Sequence, residues 1–478
     1  MPFANGGLTS NSPSGKVNPN LSGPILTKRI PCWPYADPAG RHTVSYDEYV
    51  KTGGYEGLKK AIALKPDAVT DEVKKSVLRG RGGAGFPTGL KWTFLPKLKT
   101  DEAGQEEDPG QRYLAINADE SEPGTFKDRL LMDFDPHLVL EGIAIACYAC
   151  RIKTAYIFIR GEYHHQAKVF QKAIDEAYAN GIFGPQGMMR GTGKRPADVV
   201  LHRSAGAYIC GEETALLEAI EGKRGWPRVK PPFPAVKGLF GRPTLINNVE
   251  TLAAVVPLME IGLDAWKRHG VESTLPGGMP SYGTKLMGVS GHVVRPNVYE
   301  LELGIPLRTL VEKHCGGMRN GKRFKAAIAG GVSMGVLGTD QYDAPMDFDI
   351  GRKYDVLGLG TACPTVFDED TDMVAVARNV CRFFKNESCG QCTPCREGSG
   401  WLLKLLTRIE RGAGTTQDLD MLLEVAGSMG LTPGTTICGL ADGNNWSIRT
   451  IVNKFRPEFE KRVSPRFVPV YVSAAAGR

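Results

Sequence analysis

Tyr113-Leu-Ala-Ile-Asn-Ala-Asp-Glu-Ser-Glu-Pro-Gly-Thr-Phe-Lys-Asp128 is the stretch on which the fold turns. Its first five residues read as a buried strand, and the rest as an acidic, turn-forming loop. Two further apolar runs, Thr154-Ala-Tyr-Ile-Phe-Ile159 and Asp198-Val-Val-Leu-His202, repeat the strand signal. Stretches near 140–150, 164–180 and 212–221 carry helical periods. Strand–helix alternation from about 70 to 270 predicts a sheet covered by helices, an α/β domain. Such sheets place ligands at the loops after their strands. Asn117 and Asp119 suit the donor–acceptor edge of a heterocycle, and Glu120 and Glu122 suit sugar hydroxyls. A solvated acidic loop explains the same residues equally well.

Upstream lies Leu78-Arg-Gly-Arg-Gly-Gly-Ala-Gly-Phe-Pro-Thr-Gly-Leu-Lys-Trp92, with glycines at 80, 82, 83, 85 and 89. Glycine lets backbone N–H groups close on a phosphate, and a helix start after the loop adds its dipole. Gly80-x-Gly82-x-x-Gly85 matches the dinucleotide pattern. However, the preceding Asp71–Leu78 reads as helical, the wrong context for an ordinary Rossmann turn. A tight surface turn is the alternative, and Arg81 and Lys91 favour an anion. Downstream, Tyr208-Ile-Cys-Gly-Glu-Glu-Thr-Ala-Leu-Leu-Glu-Ala-Ile-Glu-Gly222 reads as a helix with an apolar face at Leu216, Leu217 and Ile220. Glu212 and Glu213 either complement its positive end or face a cofactor. Arg228-Val-Lys-Pro-Pro-Phe-Pro234 presents a cation and a ring on a stiff turn, and Thr244-Leu-Ile-Asn-Asn-Val-Glu-Thr251 presents paired amides.

Beyond residue 280 the pattern changes. Leu286–Val294, a Pro-Asn turn, Tyr299–Leu303, a helix at Leu307–His314 and a strand at Phe324–Ile328 predict a small β-grasp module. Helices follow at about 371–386, 397–411, 416–429 and 444–455. Between the first two stands Glu387-Ser-Cys389-Gly-Gln-Cys392-Thr-Pro-Cys395-Arg-Glu-Gly398, with Cys438 in a loop before the last, after the Thr432-Pro-Gly434 break. Three thiolates in one short loop and one remote thiolate suit a [4Fe–4S] cubane. Zinc usually takes two separate ligand pairs.

Composition sets bounds. The 478 residues predict two to four domains, and mean hydropathy of -0.21 with 42% apolar residues is ordinary for globular protein. A formal net charge of +7 is too mild to argue for nucleic acid or a membrane surface. Eleven cysteines, dilute and odd in number, argue against a disulfide scaffold. Of these, Cys363 and Cys381 read as buried small hydrophobes, and Cys147-x-x-Cys150 as helix core. The eight histidines, including His164, His165 and His202, show no metal-ligand spacing. No apolar run approaches membrane-span length, so no direct membrane insertion is expected. Positions 1–25, rich in Gly, Ser, Asn and Pro, read as a mobile arm with one Lys and no Arg, a poor mitochondrial presequence.

Together these motifs resemble the family of NADH-oxidising flavoprotein subunits of respiratory complex I, the F-type subunits of bacteria and their mitochondrial counterparts. The similarity runs from about residue 45 to 460. It implies an α/β fold with a Rossmann-like FMN/NADH domain (70–275) after an N-terminal arm and helical lead-in (1–69). A β-grasp, ubiquitin-like (SLBB-like) domain (276–355) and a C-terminal helical bundle carrying the iron–sulfur cluster (356–478) complete it. It implies FMN contacts at Gly80, Arg81, Gly82, Lys91, Asn117, Asp119, Glu120, Tyr208, Gly211, Glu212, Asn247, Asn248 and Thr251. NADH would meet Phe86, Phe94, Lys230 and Phe233, with Glu122 and Glu213 the acidic residues beside it. Cys389, Cys392, Cys395 and Cys438 would hold the [4Fe–4S] cluster. Hydride would pass from nicotinamide to flavin without a side-chain acid or base, then single electrons to the cluster and onward to quinone.

The resemblance also implies an E-type [2Fe–2S] partner and a G-type iron–sulfur partner within complex I. The β-grasp module and the arm are the expected docking surfaces. The implied location is a peripheral arm on the cytoplasmic side of a bacterial inner membrane, or the matrix side in mitochondria. Asp-Glu-Ser-Glu and Ile-Asn-Asn-Val lean toward bacterial members. The chain departs at Ser121, where many relatives have Gly, and after Cys438, where Asp442-Gly-Asn-Asn-Trp-Ser447 replaces a common Asp-Gly-Ala-Ala-Trp-Pro. Two alternatives are a diaphorase subunit of a soluble NAD-linked hydrogenase or formate dehydrogenase, and a cluster-bearing assembly subunit without flavin. Many diaphorases carry added cysteine-rich ends; here the arm has only Cys32 and the tail after Cys438 has none.

Overall fold

Tyr113–Ala118 (β1), Thr154–Ile159 (β2), Asp198–Arg203 (β3) and Thr244–Asn248 (β4) form a four-stranded, all-parallel sheet in the order β3-β2-β1-β4. The computed structural model describes residues 23–465 except 34, 100–106, 109, 186, 188–196, 274 and 431–433. Leu114, Ala115 and Ile116 are wholly buried, as a central parallel strand covered on both faces requires. Three of the strands stand where the apolar runs predict them. The fourth, Thr244–Asn248, is a strand and not simply a pair of exposed amides; Thr244, Leu245 and Ile246 are buried within it.

One face of the sheet carries helix α1 (Pro136–Cys150), every residue of which is buried, with Cys147 and Cys150 in the core. It crosses α4 (Val249–Ile261) closely at Gly142, where a Cβ would lie 2.1 Å from the Leu252 carbonyl oxygen. The helical lead-in belongs to the same core. Glu141 accepts from Tyr55 N–H (2.7 Å), Leu58 N–H (2.8 Å) and the Tyr49 hydroxyl (2.5 Å). The expected boundary at 69/70 falls inside the helix Pro66–Lys75, so the lead-in is continuous with the α/β domain. Most of the predicted mobile arm lies outside the described residues. The backbone N–H groups of Ile25, Leu26 and Thr27 all donate to the Glu300 carboxylate.

Between α1 and α4 in sequence come α2 (His164–Ala179) and α3 (Glu213–Ile220), the latter on the sheet's other face. The second sheet holds β5 (Thr284–Gly291), β6 (Asn297–Glu302), β7 (Phe324–Ile328), β8 (Val336–Leu337) and β9 (Thr365–Asp368) in the order β8-β7-β9-β5-β6. The central strand β9 lies parallel to β5 and antiparallel to β7. The expected boundary at 355/356 therefore cuts this sheet, because a strand beyond it completes the layer; we place the boundary after Asp368. The bundle comprises α5 (Met373–Glu387), α6 (Thr393–Glu410), α7 (Thr416–Gly430) and α8 (Leu440–Lys454). Its core runs without a break into Ala115, Phe158 and Ile246 of the first sheet. Cys363 and Cys381 are fully buried. The predicted break at 432–434 lies largely outside the described residues, as does the tail beyond position 465.

Candidate functional site

All four strands of the first sheet run the same way, so their C-terminal ends share one edge. The chain leaves β1 to build β2 and β3 on one side, then returns to lay β4 on the other. The crevice between the ends of β1 and β4 is thus the topological switch point where open α/β sheets bind ligands. It opens into a cavity of about 250 Å³. Of the residues expected to contact a cofactor, Gly82, Asn117, Asp119, Glu120, Glu122, Tyr208, Gly211, Glu212, Asn248 and Cys438 line it. Ser121, Thr125, Asp128, Ile209, Thr361, Gly439 and Leu440 line it as well and were not expected to. Asp128 ends the quoted acidic motif and could have been taken with it. Thr361 arrives from the loop before β9 and has no local sequence signal.

Much of the polar lining is already committed. Asn117 donates to the Gly211 carbonyl (2.7 Å) and accepts from the Asp119 N–H (3.1 Å), tying β1 to the loop before α3. Asn248 caps α4 through the Glu250 N–H (3.0 Å) and donates to Asp128 (2.7 Å). Glu120 accepts from Asp128 N–H, Arg129 N–H and the Tyr163 hydroxyl at 2.7–2.9 Å, so its carboxylate holds a helix start and is not free for sugar hydroxyls. Glu122 is held by the Tyr208 hydroxyl and by Ser333 N–H and Oγ, each at 2.7 Å, which draws the second sheet to the cavity wall. Asp119 is the exception. It is buried, neither carboxylate oxygen makes a well-formed hydrogen bond, and burial pushes its pKa up to about 7. An unmet acceptor in a polar cavity fits a ligand bearing N–H or O–H groups, as the flavin and ribityl portions of FMN do.

The glycine stretch closes as a hairpin, with Gly80 N–H donating to Phe86 C=O and Thr88 N–H to Leu78 C=O, both at 2.8 Å. Gly82 faces the cavity; a Cβ there would stand 3.0 Å from Asn248 Cβ. Gly85 combines a φ of +64° with a packed Phe348 ring, and both demand glycine. Arg81 corrects the expectation from sequence. Its side chain is wholly buried, and its guanidinium donates through Nη2 to the Tyr282 and Thr284 carbonyls (2.9 Å each), so it anchors the loop from beneath and does not line the cavity. Its N–H donates to the Thr251 hydroxyl (2.8 Å), and Asn247 accepts from the Trp92 indole (3.0 Å). Gly80, Arg81, Asn247 and Thr251 therefore frame the cavity and do not line it.

Beside the cavity, Phe86, Phe94 and Phe233 are 44%, 50% and 58% exposed, an unusual solvent share for three rings near one loop. Phe86 and Phe94 lie 5.8 Å apart. Glu213 bridges the elements that carry them. It bonds Lys91 at 3.2 Å and Lys230 at 2.8 Å, and Lys230 also reaches Glu212 at 3.2 Å. Burial opposes its charge, but the two cations outweigh it and hold the carboxyl below the usual range. Glu212 caps α3 by accepting from Thr214 N–H (2.7 Å) and Ala215 N–H (2.9 Å).

Of the four cysteines, Cys438 lines the cavity's far wall. Cys392 is the N-cap of α6, Cys395 lies in its first turn, and Cys438 stands just before α8. The positive ends of two long helices thus meet at the thiols, which suits an anionic centre. Ile437 N–H donates to Cys392 Sγ (3.3 Å), and the Ser388 hydroxyl lies 3.3 Å from Cys395 Sγ. The thiols bear on one another electrostatically, and burial pushes Cys438 up to about 12. Among the described residues no three acidic, histidine or cysteine side chains converge as the ligands of a single metal ion would. The donor set and its amide support fit a thiolate-bound cluster.

Residues 73–257 match the Nuo51 FMN-binding domain, 286–337 the SLBB domain and 375–462 the NADH-ubiquinone oxidoreductase-F iron-sulfur binding region. NADH dehydrogenase [ubiquinone] flavoprotein 1, mitochondrial, of Dictyostelium discoideum is 46% identical over 89% of this chain and 85% of its own length. The second of two F-type subunits of NADH-quinone oxidoreductase from Rhizobium meliloti is 47% identical over 88% of this chain and 95% of its own. The chain belongs to the F-type subunit family of NADH-quinone oxidoreductases. It is the NADH dehydrogenase subunit that carries the FMN-binding and iron–sulfur domains of such an enzyme. Within that family these identities do not separate bacterial from mitochondrial relatives, so the bacterial lean read from two short motifs finds no support. A solved NAD+-reducing [NiFe]-hydrogenase is also similar, with TM-score 0.74 and 34% identity over 94% of this chain and 68% of that one. The family thus shares its architecture with the diaphorase alternative, but at lower identity. The FMN and iron–sulfur domains stand on the two sides of the cavity described above.

Proposed function

We propose that this electron-input subunit binds FMN in the switch-point cavity, NADH against the exposed phenylalanines and a [4Fe–4S] cluster at the four thiols. One observation carries the reading: a single cavity is lined by Asp119 and Gly82 at one side and by Cys438 at the other. The two redox groups would therefore be neighbours, with no long gap for an electron to cross. Bound FMN supplies the exchange of a two-electron donor for one-electron acceptors.

The protein's residues supply position. Gly82 admits a close approach of the ring system, and Asp119 accepts from its polar edge. Phe86, Phe94 and Phe233 offer stacking surface to an adenine, and Lys230 and Lys91 offer charge to a diphosphate. Glu122 and Glu213 act by holding Tyr208 and the two lysines in place. Electrons leave past Cys438 to partner clusters. We assign as partners an E-type [2Fe–2S] subunit and a G-type iron–sulfur subunit, in a peripheral arm on the cytoplasmic or matrix face. No described helix is long and apolar enough to cross a membrane.

The test is a visible spectrum of purified protein before and after anaerobic NADH. Bleaching of the flavin band over an iron–sulfur background is the expected result. A flavin that resists NADH but bleaches with dithionite would overturn the nucleotide site. Protein with a cluster but no flavin would favour the assembly-subunit alternative.

A further inference from the structure

We propose that Asn444 and Asn445 form a buried, water-holding polar site in the helical bundle that raises the reduction potential of the cluster carried by the four cysteines; this rests on the cluster reading above. Both stand within the first turns of α8, shortly after Cys438, and both are 0% exposed. Among the described residues neither side-chain polar atom of Asn445 has a hydrogen-bonding partner, and the Asn444 amide has the Cys381 thiol as its one polar neighbour. Buried amides left in that state are costly, and folded cores meet them with ordered water or a ligand.

Their place in the bundle gives the pair a role. The Asn444 amide faces the Cys381 thiol of α5. Cys381 Sγ in turn donates to the Ser399 carbonyl of α6 at 3.7 Å. Ser399 lies one helical turn beyond Cys395, and Asn444 one turn beyond Leu440, the first residue of α8. Asn444, Cys381 and Ser399, all 0% exposed, thus form the next layer of the bundle below the thiol ligands. Amide dipoles and held water in that layer can orient toward the centre above. Reduction adds negative charge there. Dipoles free to orient stabilise the more highly charged state, so the pair favours the reduced cluster over what an apolar layer would allow.

The test replaces both residues with alanine (Asn444→Ala with Asn445→Ala) in the full chain. The cluster is followed by EPR in a redox titration and the flavin by its visible spectrum in the same samples. The expected result is a cluster midpoint lower by ~30–60 mV, a three- to tenfold change at 59 mV per decade for one electron, with the flavin midpoint unmoved. The pair Asn444→Ser with Asn445→Ser, which keeps small polar groups able to hold water, should restore most of the shift. An intact cluster signal at an unchanged potential in the alanine protein overturns the proposal. So does a serine protein that falls as far as the alanine one, because packing would then be the cause. Loss of the cluster in the alanine protein would make the pair an assembly device and also overturn it. A parent protein with no cluster signal would remove the cluster reading itself, which separates that failure from this one.

Discussion

Asp119 and Glu213 carry the site's two strongest electrostatic statements at the residue scale. Burial raises the Asp119 pKa to about 7 in the fold, against about 3.9 in an unfolded chain. Between those values the folded state keeps a proton that the unfolded state has lost, so this group's contribution to stability falls as pH rises from about 4 to about 7. Asp119→Asn should therefore raise the Tm of flavin-free protein at pH 8, by a few degrees, with the gain shrinking as pH falls toward 4. A gain that is flat with pH would refute the burial argument. Glu213 holds Lys91 and Lys230. Glu213→Gln removes a negative charge and frees two cations for a 2′-phosphate, so oxidation of NADPH relative to NADH should increase several-fold in steady-state assays. An unchanged ratio would remove Glu213 from nucleotide choice. Both residues were legible in the sequence as candidates. The burial of Arg81 was not, because the direction of a long side chain depends on which carbonyls the fold brings beneath it.

Elements are placed here by end groups as much as by apolar faces. Helix α3 begins at Glu212, whose carboxylate meets two orphan N–H groups. Glu212→Ala should cost about 1 kcal/mol, as loss of an N-cap does, and lower Tm by ~1–2 °C in calorimetry of so long a chain. An unchanged Tm would mean that its bond to Lys230 had opposed the cap. The helices and three of the four parallel strands were legible because each is an apolar run with the length and flanking residues of its element. The strands Thr244–Asn248 and Thr365–Asp368 escaped that reading. The first is five residues long and runs straight into a helix, and the second is only four residues. So short a run carries too few periods to be told from a loop until its partner strands are known.

At the scale of the whole molecule, the second sheet is what makes the cavity complete. Ser333 holds Glu122, Thr361 lines the wall, and Arg79 locks the glycine hairpin to this layer through Asp349 at 2.7 and 3.2 Å. That ion pair is nearly buried, at 7% and 12% side-chain exposure. Arg79→Met strands a buried carboxylate and should cost about 3 kcal/mol by chemical denaturation. Adding Asp349→Asn should recover a good part of that loss, since the stranded charge is gone. If the two losses simply add, the pair does not couple the layers.

The alternation of helices with three of the parallel strands, the glycine loop and the four thiols were determined by the sequence alone, because each is a local pattern: an apolar run, a missing Cβ, a ligand spacing. The carbonyls beneath Arg81, the fate of Glu120 as a helix cap and the single cavity joining Asp119 to Cys438 were decided by the tertiary structure. So were the buried amides of Asn444 and Asn445. These depend on contacts between residues as far apart in the chain as Asp119 and Cys438, and no local period encodes which distant groups will stand within hydrogen-bonding reach.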